Sequence, residues 1–142
     1  MKKIITMVAT ICMFHVNSAQ KTLQEDELKF QTGLIILNDA GQGFGGAFEY
    51  QLTQKFSIGV GFEAYVNAKS SYFLYQRTTF FIDDYIELNE KYDVYTGLDI
   101  GLYSGKTRAQ PRAGIRYHVS ESLAIYLEAG IRTSAGIVFN FQ

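Results

Sequence analysis

Phe56-Ser57-Ile58-Gly59-Val60-Gly61-Phe62-Glu63-Ala64-Tyr65-Val66-Asn67 alternates without a break. One set of side chains is Phe56, Ile58, Val60, Phe62, Ala64 and Val66, all apolar. The other is Ser57, Gly59, Gly61, Glu63, Tyr65 and Asn67. Successive side chains of a strand point to opposite faces, so a period of two builds one greasy surface and one polar surface. A helix would scatter both sets around its axis.

The same period returns along the chain. In Asp93–Tyr103 the apolar set is Val94, Thr96, Leu98, Ile100 and Leu102. In Arg112–Val119 it is Ala113, Ile115, Tyr117 and Val119, and in Leu123–Arg132 it is Leu123, Ile125, Leu127, Ala129 and Ile131. Phe30–Leu37, Gly46–Leu52 and Ala135–Phe141 are shorter examples, and Thr79–Leu88 is a less regular one. The count predicts eight strands. Thr53-Gln54-Lys55, Asn89-Glu90-Lys91 and Ser120-Glu121-Ser122 read as short turns. Asp39–Phe44, Ala68–Thr78 and Gly105–Gln110 read as longer loops, and Thr133-Ser134 closes the last hairpin. Three short turns facing four other connections fit an up-and-down barrel of antiparallel strands. The fourth strand carries a conflict: turning Ile82, Ile86 and Leu88 outward also turns Asp84 outward. A β-bulge near Ile82–Asp84 is expected to relieve it.

The chain of 142 residues has room for one domain. Lys2 and Lys3 precede the mostly apolar Ile4–Val16, and Asn17-Ser18-Ala19 offers a cleavage site. This is the pattern of an export signal over 1–19, too short to cross a bilayer as a helix. A polar lead-in over 20–29 and a barrel domain over 30–142 follow. The 13 Lys and Arg against 14 Asp and Glu leave no basic field for nucleic acid, and losing Lys2 and Lys3 makes the balance more acidic. Cys12, the one cysteine, lies inside the expected signal, so no disulfide or thiolate site is expected beyond it. Tyr and Phe number 10 and 11, and glycine 13, which suits an all-β chain.

Alternation does not say which face is inside. Three features place the polar face inward. Glycine concentrates there (Gly33, Gly59, Gly61, Gly97, Gly101, Gly114, Gly130), as a crowded eight-stranded interior requires. Lysine is nearly absent from it, although a solvated sheet normally carries lysine. Its charges are Glu49, Glu63, Asp99, Glu128, Arg112, Arg116 and Arg132, a set suited to pairing in a closed lumen. Finally, Phe30, Tyr50, Phe56, Tyr117 and Phe141 gather on the apolar face toward the short turns, as rings do at a membrane interface. The competing architecture is an exported soluble barrel, lipocalin-like, with its apolar face inside around a small ligand.

Tyr92-Asp93-Val94-Tyr95-Thr96-Gly97-Leu98-Asp99-Ile100-Gly101, Pro111-Arg112-Ala113-Gly114-Ile115-Arg116-Tyr117 and the closing Gly136-Ile137-Val138-Phe139-Asn140-Phe141 resemble the small outer-membrane β-barrels related to OmpX and the OmpA membrane domain, in a Bacteroidota form. The resemblance spans essentially the whole segment after the signal. It implies an eight-stranded antiparallel up-and-down transmembrane β-barrel in the outer membrane of a Gram-negative bacterium. It also implies outer-membrane lipid and the barrel-insertion machinery as partners, the latter reading the aromatic-ended last strand. Gln142 after Phe141 is a small departure.

Chemistry-bearing motifs are few. Gly41-Gln42-Gly43-Phe44-Gly45-Gly46 has glycine spacing like a phosphate loop but lacks the following lysine and helix, and reads as a hairpin turn. His118 alternates to the inner face beside the Ser120-Glu121 turn and reads as an interior hydrogen-bonded histidine. No catalytic, cofactor or metal residues are expected, and the luminal charges are expected to be structural. Tyr72, Phe73, Tyr75 and Arg77, in the loop read over Ala68–Thr78, are candidate contacts for an extracellular partner. A single copy without catalysis, without a wide pore, and with a structural or surface-interaction role is the expected whole.

Overall fold

The computed structural model describes residues 26–37, 41–66, 71–82 and 85–141. Eight strands run in chain order: β1 (Leu28–Leu37), β2 (Gly43–Thr53), β3 (Phe56–Tyr65), β4 (Ser71–Phe81), β5 (Tyr92–Tyr103), β6 (Lys106–His118), β7 (Leu123–Gly130) and β8 (Thr133–Phe141). Each strand pairs antiparallel with its sequence neighbours, and β1 pairs with β8, which closes the barrel. Closure removes both sheet edges, so the ladder satisfies the backbone polar groups around the whole circumference.

The registers fix the faces. Lys29↔Glu49, Glu49↔Gly59, Gly59↔Arg77, Arg77↔Asp99 and Asp99↔Gln110 form one inward row. The apolar face points out: Leu34 is 65% exposed, Val60 61% and Leu127 50%. The soluble-barrel arrangement is thus inverted in this molecule. Buried apolar residues form small clusters rather than one core. Ile35, Tyr65, Phe73 and Tyr75 sit toward the upper rim, where β1–β2, β3–β4, β5–β6 and β7–β8 are joined. Phe81 with Tyr95, and Ala124 with Tyr126 and Val138, sit toward the lower rim. Outward aromatics edge both rims. Phe44 lies against Phe62 (6.4 Å between centroids) above and Tyr92 against Tyr117 (5.1 Å) below, whereas Phe56, expected on the exposed apolar face, is fully buried against Leu52, Ile58 and Phe80 (6.3 Å).

Glycine makes room for large inward rings. A Cβ on Gly61 would lie 2.5 Å from the Tyr75 ring, and one on Gly114 would lie 2.6 Å from the Tyr95 ring. Each tyrosine therefore folds flat over the glycine of the adjacent strand.

Three connections differ from the sequence expectation. The fourth strand is not Thr79–Leu88 but Ser71–Phe81, so most of the expected loop Ala68–Thr78 is strand. Both faces of this strand carry large rings, which masks its period of two. Tyr85 and Ile86 belong instead to the β4–β5 connection, which is longer than the turn expected at Asn89-Glu90-Lys91. Asp83 and Asp84, where the bulge was expected, lie outside the described residues. The strand pairing ends beside them, with the Ile82 N–H donating to the Val94 carbonyl (2.8 Å). The loop expected over Gly105–Gln110 is only a two-residue turn. Ser104 (φ 48°) and Gly105 (φ 88°) both take the left-handed backbone that a tight hairpin demands, and β6 starts at Lys106. The lead-in also shortens, because Leu28 and Lys29 already belong to β1. The expected signal over 1–19 lies outside the described residues.

Candidate functional site

The lumen is the candidate site, and eight of its charges, Glu49, Glu63, Asp99, Glu128, Arg77, Arg112, Arg116 and Arg132, form a single connected set. Asp99 on β5 is the hub. The Arg77 guanidinium reaches it in fork geometry, Nε to Oδ1 at 3.0 Å and Nη2 to Oδ2 at 2.8 Å. Arg112 Nε donates to Oδ1 at 3.1 Å, and Arg132 Nη2 donates to Oδ2 at 3.1 Å. Planar forks suit one carboxylate shared among several arginines.

Glu128 on β7 is a second hub. It accepts from Arg112 Nη1 (3.2 Å), Arg77 Nη1 (3.4 Å), the Tyr95 hydroxyl (3.0 Å) and Gln31 Nε2 (3.1 Å). Glu49 on β2 accepts from Arg116 Nη2 (3.0 Å) and the Ser57 hydroxyl (2.8 Å). Glu63 pairs with Arg132 Nε and with the Tyr65 hydroxyl. Below this layer Lys29 Nζ donates to Gln51 Oε1 (2.8 Å) and pairs with Glu27 (3.4 Å). Arg116 also lies over the Tyr95 ring, 4.8 Å from its centroid.

Glu49, Glu63, Asp99, Glu128, Arg112, Arg116 and Arg132, the residues anticipated from alternation, are all inside and all buried. The structure joins them in one network. Sequence reasoning missed Arg77, which is 1% exposed and makes the most direct contact with Asp99. With it the layer holds as many arginines as acids. An inward set of four acids against three arginines was the available signal that a cation was missing.

Arg77, Phe73 and Tyr75 are therefore not surface-loop residues. All three point inward on β4, and Phe73 stacks on Tyr75 with centroids 4.8 Å apart. Only Tyr72 faces outward, near the upper rim. His118 sits at the lower rim with Nε2 2.6 Å from Asp93 Oδ2. Gly43–Gly46 of the glycine-rich motif lie in β2, with no helix after them.

This arrangement binds charge to charge. The carboxylates of Glu49, Glu63, Asp99 and Glu128 are held by guanidinium groups and that of Asp93 by His118, and the described residues contain no cluster of three or more His, Cys, Asp or Glu arranged to hold a metal. One cavity within the network, bordered by Gln31, Glu63, Tyr75, Arg77, Glu128 and Arg132, has a volume of about 10 Å³. That is room for about one water molecule.

No family model matches the chain, and no curated relative does. Solved structures share its architecture. A structure from the de novo design of transmembrane β-barrels superposes with a TM-score of 0.70 at 18% identity, over 83% of this chain and 98% of that one. The N-terminal β-barrel domain of Pseudomonas aeruginosa OprF follows with 0.62 at 13% identity, over 82% and 98%. Ail, the attachment invasion locus protein of Yersinia pestis, gives 0.54 at 14% identity, over 83% and 100%. At such identities the likeness is one of fold: this chain is a closed, eight-stranded, all-antiparallel β-barrel similar to those of transmembrane barrels.

Proposed function

We propose that the chain is an integral outer-membrane protein with a structural or surface-interaction role and no catalysis. One observation carries this reading: the greasy face is outside and the charged face is inside. Exposed to water, a continuous apolar belt of this size is an aggregation liability, whereas acyl chains solvate it. Strand lengths of 8 to 13 residues match what a tilted strand needs to cross, about 9–11 residues. The OmpX/OmpA-like motifs of β5, β6 and β8 support the outer membrane of a Gram-negative bacterium, of Bacteroidota type, as the location. The same reading includes export through residues 1–19 and insertion by the barrel machinery. Likeness to an attachment protein such as Ail supports a role at the cell surface. There the β5–β6 hairpin is the contact we favour: Ser104, Lys106 and Thr107 are exposed at its tip, and Arg108 lies over Tyr103 (4.7 Å).

The test is fractionation. The protein is expected in outer membranes after a detergent-free alkaline wash, running faster unheated than boiled on SDS gels, with Gln20 as its first residue by mass spectrometry. Recovery in the soluble fraction would sink the membrane reading.

A further inference from the structure

Outward polar side chains on the strands are mostly satisfied. The hydroxyls of Thr32, Thr78 and Thr96 donate to the carbonyls of Gly45 (3.1 Å), Leu98 (2.7 Å) and Arg112 (3.1 Å) on the adjacent strands. Gln76 is different. It is the middle residue of β4 and pairs with Val60 and Ile100, so its side chain points outward among apolar neighbours. Its amide makes no hydrogen bond to any described residue.

Its depth makes this costly. Tyr72 and Phe80, on the same face, are each four residues away, about 13 Å along the strand. Gln76 thus lies midway between the two aromatic edges, too deep to reach headgroup or water. An unpaired amide in hydrocarbon costs several kcal/mol. Around it the surface is concave. A groove of about 530 Å³ runs over Gly46, Gly61 and Gly101 between the walls of Phe48, Phe62 and Leu74, and Gln76 lies in it. A second depression over Gly59 shares Phe48, Val60 and Gln76 with the first.

We propose that this face, centred on Gln76, is where two copies of the chain associate in the membrane. An amide carries both donor and acceptor, so it complements itself. Across a two-fold axis, two Gln76 side chains exchange reciprocal hydrogen bonds and each satisfies the other. An acyl chain in the groove would fill the volume and leave the amide unpaired. The proposal rests on the membrane reading and replaces the single copy expected from the sequence.

Val60→Cys, beside Gln76 and 61% exposed, is made in a Cys12→Ser background and reconstituted in phosphatidylcholine vesicles. Heat-modifiable migration first establishes that the barrel has inserted, so failure of the membrane reading shows before association is scored. Oxidation is expected to give a disulfide-linked dimer from Val60→Cys and none from Ile125→Cys on β7. Adding Gln76→Leu, which removes the amide and keeps an apolar surface, is expected to weaken dimerisation about tenfold across a lipid dilution series. Equal cross-linking on both faces, no cross-linking at Val60→Cys, or indifference to Gln76→Leu would each overturn the proposal. Absence of cross-linking at Val60→Cys would leave lipid as the occupant, whereas indifference to Gln76→Leu would mean that the amide does not hold the copies together.

Discussion

Asp99 receives three guanidinium groups and is fully buried, so its charge is one of the two hubs that organise the lumen. Asp99→Asn keeps the shape and removes the charge, leaving Arg77, Arg112, Arg116 and Arg132 against only Glu49, Glu63 and Glu128 in the buried layer. Breaking a buried pair in this way costs about 3–5 kcal/mol. Urea unfolding in vesicles is expected to show a loss of that order, and a change below 1 kcal/mol would mean that the network tolerates a missing hub. Gly61 sets a second test. Gly61→Ala drives a methyl into the Tyr75 ring and is expected to cost about 1–3 kcal/mol. The cost should shrink in a Tyr75→Leu background, because the two residues share one space, and additivity within error would refute the contact. Most of the luminal residues were legible because their strands alternate cleanly. Arg77 was not: its own strand hid its period, and a lone arginine among aromatics reads equally well as an exposed loop.

At the level of the strand, β4 is where sequence and structure part. Phe73, Tyr75 and Phe81 face inward while Tyr72, Leu74 and Phe80 face outward, so hydrophobicity carries no alternation. The pairing partners settle the matter. β3 and β5 are strongly patterned, and their registers force Arg77 opposite both Gly59 and Asp99. Information absent from one strand was thus present in its neighbours. Leu74→Arg discriminates the two readings. In a surface loop it would be almost neutral. On an outward strand position inside the apolar belt it is expected to destabilise by about 2 kcal/mol or more and to reduce insertion into vesicles. Ser104→Arg, at the exposed hairpin turn, is the control and should leave the urea midpoint within error.

At the scale of the whole molecule, we propose that the lumen is filled: its described side chains lie in three layers. Toward the upper rim, Tyr65 and Phe73 both pack against Tyr103, at 5.9 and 6.4 Å between centroids. The arginine–carboxylate network fills the middle, and Phe81 with Tyr95 (5.7 Å) lies below it. An ion crossing the lumen would have to displace all three in series. An eight-stranded interior is just wide enough for side chains, and the cavity bordered by Gln31, Glu63, Arg77 and Arg132 in the ionic layer is about 10 Å³. A hydrated cation cannot use such a space, and a bare one would have to compete with guanidinium groups already bound to the carboxylates. Salt does not change this, because buried pairs are screened far less than exposed ones. Planar-bilayer recordings of the purified barrel are therefore expected to stay at baseline in both 0.1 M and 1 M potassium chloride. Arg77→Ser, which removes the side chain bridging Asp99 and Glu128, is the variant most apt to produce brief openings. Sustained single-channel steps from the unaltered protein would show that the ionic layer opens as a unit, and that the lumen is a path rather than a filling.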